Sequence, residues 1–177
     1  MKFNLQKIFG VFLIEATPFM DERGVFRRHF CDVEFREHGI IADVKQSNVS
    51  ENQSKYTLRG FHYQTPPFGE GKTLSCLKGR IYDIVVDVRP ESPTYKQWIS
   101  FELTAENRCS IHIPPGCANA FMTLEDNCLI HYYCSQPYTP NAERGIRYDD
   151  PAFEFKWPHK PIAISSKDLN HPNYQSF

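Results

Sequence analysis

Apolar and polar positions alternate with a period of two over short runs, and turn residues separate the runs. Ile81 to Arg89 shows this most clearly. Tyr82, Ile84, Val86 and Val88 fall on one face, and Ile81, Asp83, Val85, Asp87 and Arg89 fall on the other, because successive side chains of a strand point to opposite faces. An apolar face backed by one with two carboxylates predicts a barrel with a polar lumen; a solvated outer face is the ordinary alternative. Strand runs also occur at Val11–Ile14, Val25–Phe30, Leu58–Gln64, Lys72–Leu77, Trp98–Leu103, Ser110–Ile113, Cys117–Leu124 and Cys128–Ser135. Turn chemistry lies between them at Asp21–Gly24, Lys78-Gly79, Pro90–Thr94, Ala105–Asn107, Pro114–Gly116 and Glu125–Asn127, where Gly, Pro, Asn and Asp supply the needed backbone angles.

Helix is scarce. Asp32 to His38 predicts one short helix, with Asp32 as its cap and Gly39 as its stop, and Ser165–Asp168 predicts one helical turn. Residues 40–49 read as extended, ending in the polar cluster Gln46-Ser47-Asn48, whose composition by itself is that of a turn. Residues 136–161 form a proline-rich tail. Strands spaced by roughly 8–12 residues predict an all-β sandwich or jelly roll with a ligand-holding interior, as one domain over 1–177. Residues 1–30 have little core of their own, which predicts an arm that crosses to a partner subunit.

Composition narrows the function. Phe (14), Tyr (9) and Pro (13) are abundant, which favours strands and turns over helices. The net charge of −1 and pI of about 6.6 leave no basic footprint for nucleic acid. No apolar run is long enough for a membrane helix, and Met1–Lys7 does not begin a signal peptide. Cys31, Cys76, Cys109, Cys117, Cys128 and Cys134 show no CxxC spacing, which predicts free thiols in a reducing cytosol. No Cys or His pair has zinc-ligand spacing, so neither a metal nor another cofactor is expected.

Candidate chemistry concentrates in Leu58-Arg59-Gly60-Phe61-His62-Tyr63-Gln64. A regular strand sends Arg59 and His62 to opposite faces. A bulge at Gly60 would turn both into one cavity, joining a fixed cation to an imidazole that can move a proton. A buried Arg and His bonded to backbone is the plainer alternative, equally open on this stretch alone.

This stretch resembles the LRGLHYQ signature of the dTDP-4-dehydrorhamnose 3,5-epimerases, a family of cupin-type jelly rolls. The resemblance extends along the chain. Asp21–Phe26 is similar to the family's D-x-RG-x-F, Gln46-Ser47-Asn48 to Q-x-N, Ile113–Gly116 to IPxG, Glu143–Pro151 to ERGIRWDDP, and Ile164–Asp168 to LSxKD. It implies a homodimer without metal or organic cofactor, acting on a nucleotide-linked 4-keto-6-deoxy sugar and inverting carbons beside the ketone. By the same resemblance His62 is the base, Asp168 its orienting carboxylate, Tyr132 the acid on the opposite face, and Lys72 a group at the sugar oxygen. Arg59 falls on a diphosphate ligand and Tyr138 on a second site tyrosine. Arg23 and Phe26 match positions that reach the nucleotide. Gln46, Asn48, Asn119 and Glu143 complete the expected substrate-binding set. One departure stands out: the family's A-H-G after IPxG is Ala118-Asn119-Ala120 here, so an amide that carries no charge replaces an imidazole. A single-site 3-epimerase, a 3,4-ketoisomerase and a non-catalytic sugar-nucleotide-binding cupin are the competing readings. A metal cupin is disfavoured because no HxH occurs.

Overall fold

A computed structural model describes residues 1–175. Its elements in chain order are β1 (Lys2–Leu5), β2 (Phe12–Glu15), β3 (Phe19–Asp21), β4 (Gly24–Phe26), α1 (Asp32–Glu37), β5 (Gln46–Asn52), β6 (Leu58–Gln64), β7 (Lys72–Lys78), β8 (Arg80–Asp87), β9 (Trp98–Thr104), β10 (Cys109–Ile113), β11 (Cys117–Thr123), β12 (Cys128–Cys134), β13 (Glu143–Gly145) and α2 (Ser166–Leu169). One six-stranded sheet runs β1-β2-β10-β7-β12-β5, and a five-stranded sheet runs β13-β6-β11-β8-β9. Together they form the expected jelly roll. The β3–β4 hairpin is a separate two-stranded ribbon.

The alternation along β8 decides how the layers pack. Ile81 and Val85 join Leu74, Leu103, Ile111, Phe121 and Ile130 in one core, to which both sheets contribute. Tyr82, Ile84, Val86 and Val88 pack instead with Phe61, Ile146, Phe153, Phe155 and Trp157. Segment 146–157, read from sequence as a tail, therefore covers the outer face of the five-stranded sheet, with Phe61 stacked on Phe155 at 4.3 Å between ring centroids. Neither face of β8 is solvated, which is why its sequence is so apolar. The polar lumen is correspondingly confined: apolar side chains fill much of the interior, and the buried polar residues of β8 and β11 are Asp83, Asp87, Asn119 and Thr123.

The six-stranded sheet is covered by α1 and its flanks, where Phe35, Ile40 and Ala42 bury against Ile14 and Tyr133. Four local expectations are corrected here. Cys31, not Asp32, occupies the N-cap and makes no side-chain cap bond; Asp32 is the first helical residue and pairs with Arg36 at 2.8 Å, its charge favourable at a helix start. The strand expected over Val25–Phe30 stops at Phe26, because residues 29 and 30 leave the hairpin to contact the sheet: His29 meets His131 and Ser75, and Phe30 packs on Phe35. Gln46–Asn48 begins β5 rather than forming a turn, its backbone paired with β12 from Cys134 to Tyr132. Finally, β1 was not evident from pattern, and β1 and β2 lie in the sheet of their own chain, with Ile8 and Val11 fully buried between them. Of the segment read as an arm, the β3–β4 hairpin is the part that stands free.

Candidate active site

The register of β6 against β11 builds the site. Asn119 pairs with His62 and Ala120 with Gly60, so Phe61 is an extra residue and the side-chain alternation slips by one. Arg59 and His62 consequently line the same cavity of about 490 Å³, together with Lys72, Asn119, Tyr132, Lys167 and Asp168. Gly60 has φ +110°, and a Cβ there would lie 2.5 Å from the Asn119 carbonyl oxygen; no other residue fits. A second cavity of about 350 Å³ shares His62, Lys72 and Tyr132 and adds Gln46, Asn48, Glu70, Tyr138 and Glu143.

His62 Nε2 lies 2.7 Å from Asp168 Oδ1. The other carboxylate oxygen accepts from the Gly60 backbone N–H at 3.3 Å. Asp168 is held by α2, whose N-cap Ser165 accepts from the Asp168 N–H at 3.0 Å, as a serine cap should. Burial by itself would push this carboxyl up, but the bond and charge of His62 and the Gly60 N–H outweigh it and hold it below its usual value. An ionised Asp168 accepts a hydrogen bond from Nε2–H, which leaves the lone pair on Nδ1.

Lys72, at the start of β7, donates to Asn119 Oδ1 at 3.2 Å and pairs with Glu70 at 3.4 Å. Desolvation pulls its pKa down, but Glu70 and neighbouring Cys134 and Tyr132 raise it above normal, so it stays an ammonium. Asn119 Nδ2 in turn donates to Asp83 Oδ2 at 3.0 Å. Burial pushes the Asp83 carboxyl up to about 7, against the Asn119 bond and Lys72, which lower it. The amide in the imidazole's place therefore bridges a cation and a buried acid. Its oxygen must face Lys72, because an ammonium only donates.

Tyr132 lies on β12, beside β7 in the six-stranded sheet, its ring centroid 5.8 Å from Lys72 Nζ. Desolvation raises its pKa, so the phenol keeps its proton at neutral pH. At the rim, Tyr138 donates to Glu143 Oε2 at 2.7 Å and Lys167 reaches the same oxygen at 2.5 Å. Gln46 Oε1 accepts from the Tyr138 backbone N–H. Arg59 Nε donates to Asn52 at 2.7 Å.

Of the residues expected at the site, Arg23 and Phe26 do not join this cavity. They line a different surface concavity on the β3–β4 hairpin, with Arg23 paired to Asp21 at 2.6 Å. Asp83, Lys167 and Glu70 reach the site without having been singled out for it. The alternation along β8 had put Asp83 on the inner face; Lys167 is hidden beside Asp168, and Glu70 sits in a loop whose direction no local pattern reveals.

A family model described as dTDP-4-dehydrorhamnose 3,5-epimerase matches residues 6–176. The chain belongs to the dTDP-4-dehydrorhamnose 3,5-epimerase family. Like that family, it is an isomerase that inverts carbon centres. An enzyme of this name from Sinorhizobium fredii is 38% identical over 174 residues, covering 98% of this chain and 89% of the relative. The crystal structure of a Legionella pneumophila 3,5-epimerase in complex with dTDP-4-keto-L-rhamnose superposes with a TM-score of 0.89 at 36% identity, covering 94% and 89% of the two chains. A 3'-monoepimerase from Streptomyces bikiniensis, in complex with dTDP-quinovose, superposes equally well, with a TM-score of 0.89 at 32% identity over 96% and 86%. The fold alone thus admits epimerases of one centre and of two.

Proposed function

We propose that the chain converts dTDP-4-dehydro-6-deoxy-D-glucose to dTDP-4-dehydro-L-rhamnose, inverting the carbons on either side of the ketone without a metal or cofactor. The observation that carries this reading is the placement of His62, Lys72 and Tyr132 around one cavity, with Asp168 fixing the His62 tautomer. A C–H beside a ketone is acidic because the resulting anion spreads onto the ketone oxygen. His62 Nδ1 takes that proton, and Asp168 steadies the imidazolium. Lys72 stabilises the enolate oxygen with a charge already in place. Tyr132, protonated and on another strand, returns a proton to the opposite face. Arg59 holds the diphosphate, and Gln46, Asn48, Tyr138 and Glu143 line the path of the sugar nucleotide.

Two further parts of the reading rest on the surface and the thiols. Phe19, Met20 and Phe26 on the free hairpin are 64%, 67% and 76% exposed, and a patch of that kind marks a contact surface. We read it as a homodimer arm that delivers Arg23 and Phe26 to the partner's nucleotide site. Six unpaired cysteines suit a reducing cytosol.

Asn119 favours a second reading, inversion of one carbon. The amide replaces a group able to carry charge, and a monoepimerase shares the fold. Incubation with the 4-keto-6-deoxy sugar nucleotide in deuterated water distinguishes them by NMR. Deuterium and inversion at C3 and C5 support the first reading, deuterium at C3 alone supports the second, and exchange at neither carbon overturns both.

A further inference from the structure

Behind the dyad, His171 packs against Gly145 so closely that a Cβ on Gly145 would fall 1.9 Å from its Nε2. That nitrogen is buried and has no hydrogen-bond partner among the described residues. It lies 3.9 Å from Asp168 Oδ1, the oxygen that His62 Nε2 meets at 2.7 Å. One ligand atom each of His62, Asp168 and His171 thus falls within 4.8 Å of the others. His171 lines a cavity of its own, about 270 Å³, whose wall includes Tyr63, Glu143 and Lys167 but not His62. It is outside both cavities assigned to the substrate.

We propose that His62, Asp168 and His171 form an inhibitory zinc site that captures the catalytic base. Zinc takes imidazole nitrogen and carboxylate oxygen at about 2.0–2.2 Å in a tetrahedron, which sets neighbouring ligand atoms roughly 3.3 Å apart. The two separations from Asp168 Oδ1 bracket that value. Opening one and closing the other by about 0.6 Å, and bringing the two histidine ligand atoms, within 4.8 Å of each other, to the same spacing, completes three corners. Water from the cavity supplies the fourth. Two nitrogens and one oxygen suit zinc and disfavour magnesium or calcium, which prefer oxygen ligands. Lys167, the nearest cation in sequence, is already paired with Glu143 at 2.5 Å.

Inhibition follows from the imidazole tautomer. A neutral imidazole that gives the Nε2 lone pair to a metal keeps its one proton on Nδ1. Nδ1 is the nitrogen left free by the Asp168 bond, and once protonated it cannot accept a proton from the sugar. Zinc therefore moves a proton from Nε2 to Nδ1 and blocks the base without occupying the substrate cavity. Local spacing conceals this site: Asp168 and His171 stand three residues apart at the end of α2, and His62 is more than a hundred residues away.

The inhibitory half rests on His62 being the base; the binding half does not. Calorimetric titration of chelator-treated protein with zinc chloride tests the binding. The wild type takes up one zinc, and His171→Gln and His171→Phe each weaken uptake by at least about tenfold, as loss of a ligand should. Two replacements of opposite polarity leave one to decide if the other folds poorly, which circular dichroism reports. In deuterated water, zinc stops exchange in the wild type, a chelator restores it, and the two variants exchange normally with or without zinc. Equal zinc uptake by wild type and both variants would mean that the metal sits elsewhere, for instance on the thiols, and overturns the site. Absent uptake by the wild type overturns it as well. Uptake that leaves exchange unchanged overturns the inhibition. Wild-type protein that exchanges nothing even without zinc refutes the epimerase reading, while the calorimetric result still decides the site.

Discussion

At the scale of single residues, the proposed mechanism separates a base held by a buried carboxylate from an acid kept protonated by desolvation. In that mechanism, removing His62 deletes the atom that takes the proton, whereas Asp168 acts through the tautomer and charge of His62. His62→Ala is expected to abolish deuterium exchange, and Asp168→Asn to slow it by a smaller factor, on the order of 10²–10⁴. Wild-type exchange by Asp168→Asn would remove Asp168 from this role. Tyr132→Phe keeps the ring and deletes only the phenolic proton, so stability should change by less than about 1 kcal/mol. Its expected product is substrate labelled with deuterium at its original stereochemistry, with little epimer. A normal yield of epimer would transfer the acid role to Tyr138 or water, and Tyr138→Phe tells those two apart.

At the scale of elements, the slip between β6 and β11 is what makes a strand into a site. The backbone of Gly60 has φ +110° and passes so close to β11 that a methyl group would lie 2.8 Å from Ala120 Cα. Gly60→Ala is therefore strained twice, by conformation and by contact, and is expected to cost at least about 2 kcal/mol in urea denaturation. Exchange by the folded fraction should fall as well, because His62 and the Gly60 N–H on Asp168 move with the strand. A variant as stable and active as the wild type would show that the bulge tolerates a side chain. The bulge itself was foreseeable, since Gly60 lies between a cation and an imidazole that a regular strand would separate. The contact of Asn119 with both Lys72 and Asp83 was not, because it depends on how β11 lies beside β8 in one sheet and faces β7 of the other.

At the scale of the whole molecule, the two sheets close over an apolar core and leave a cavity lined by the polar groups of the site, while the free hairpin projects its apolar residues into solvent. That surface is expected to be covered by a second copy. Sedimentation should give a dimer over a wide concentration range, and replacing Phe19 and Met20 with serine should shift it toward monomer. Because Arg23 and Phe26 are read as reaching the partner's nucleotide site, the same variant should raise KM more than it lowers kcat. A wild-type monomer at all concentrations would defeat this reading of the hairpin.

Taken alone, the sequence determined what neighbouring residues decide among themselves. Alternation marks β8 and its two faces, turn residues mark where strands stop, Gly39 marks the end of α1, and Gly60 marks the bulge. These are properties of backbone angles and of a two-residue period, and they need no distant partner. The order of its motifs also pointed to the family. Tertiary structure alone decided what depends on strand register. It turned the proline-rich stretch into the cover of a sheet, drew β1 and β2 out of the presumed arm, and recruited Asp83 to Lys72 through Asn119. It also set His171 beside a dyad whose histidine lies on β6. Such meetings join residues from tens to just over a hundred positions apart. Their distances follow from how whole strands pair and from which surfaces must leave water, and neither is written in any local stretch.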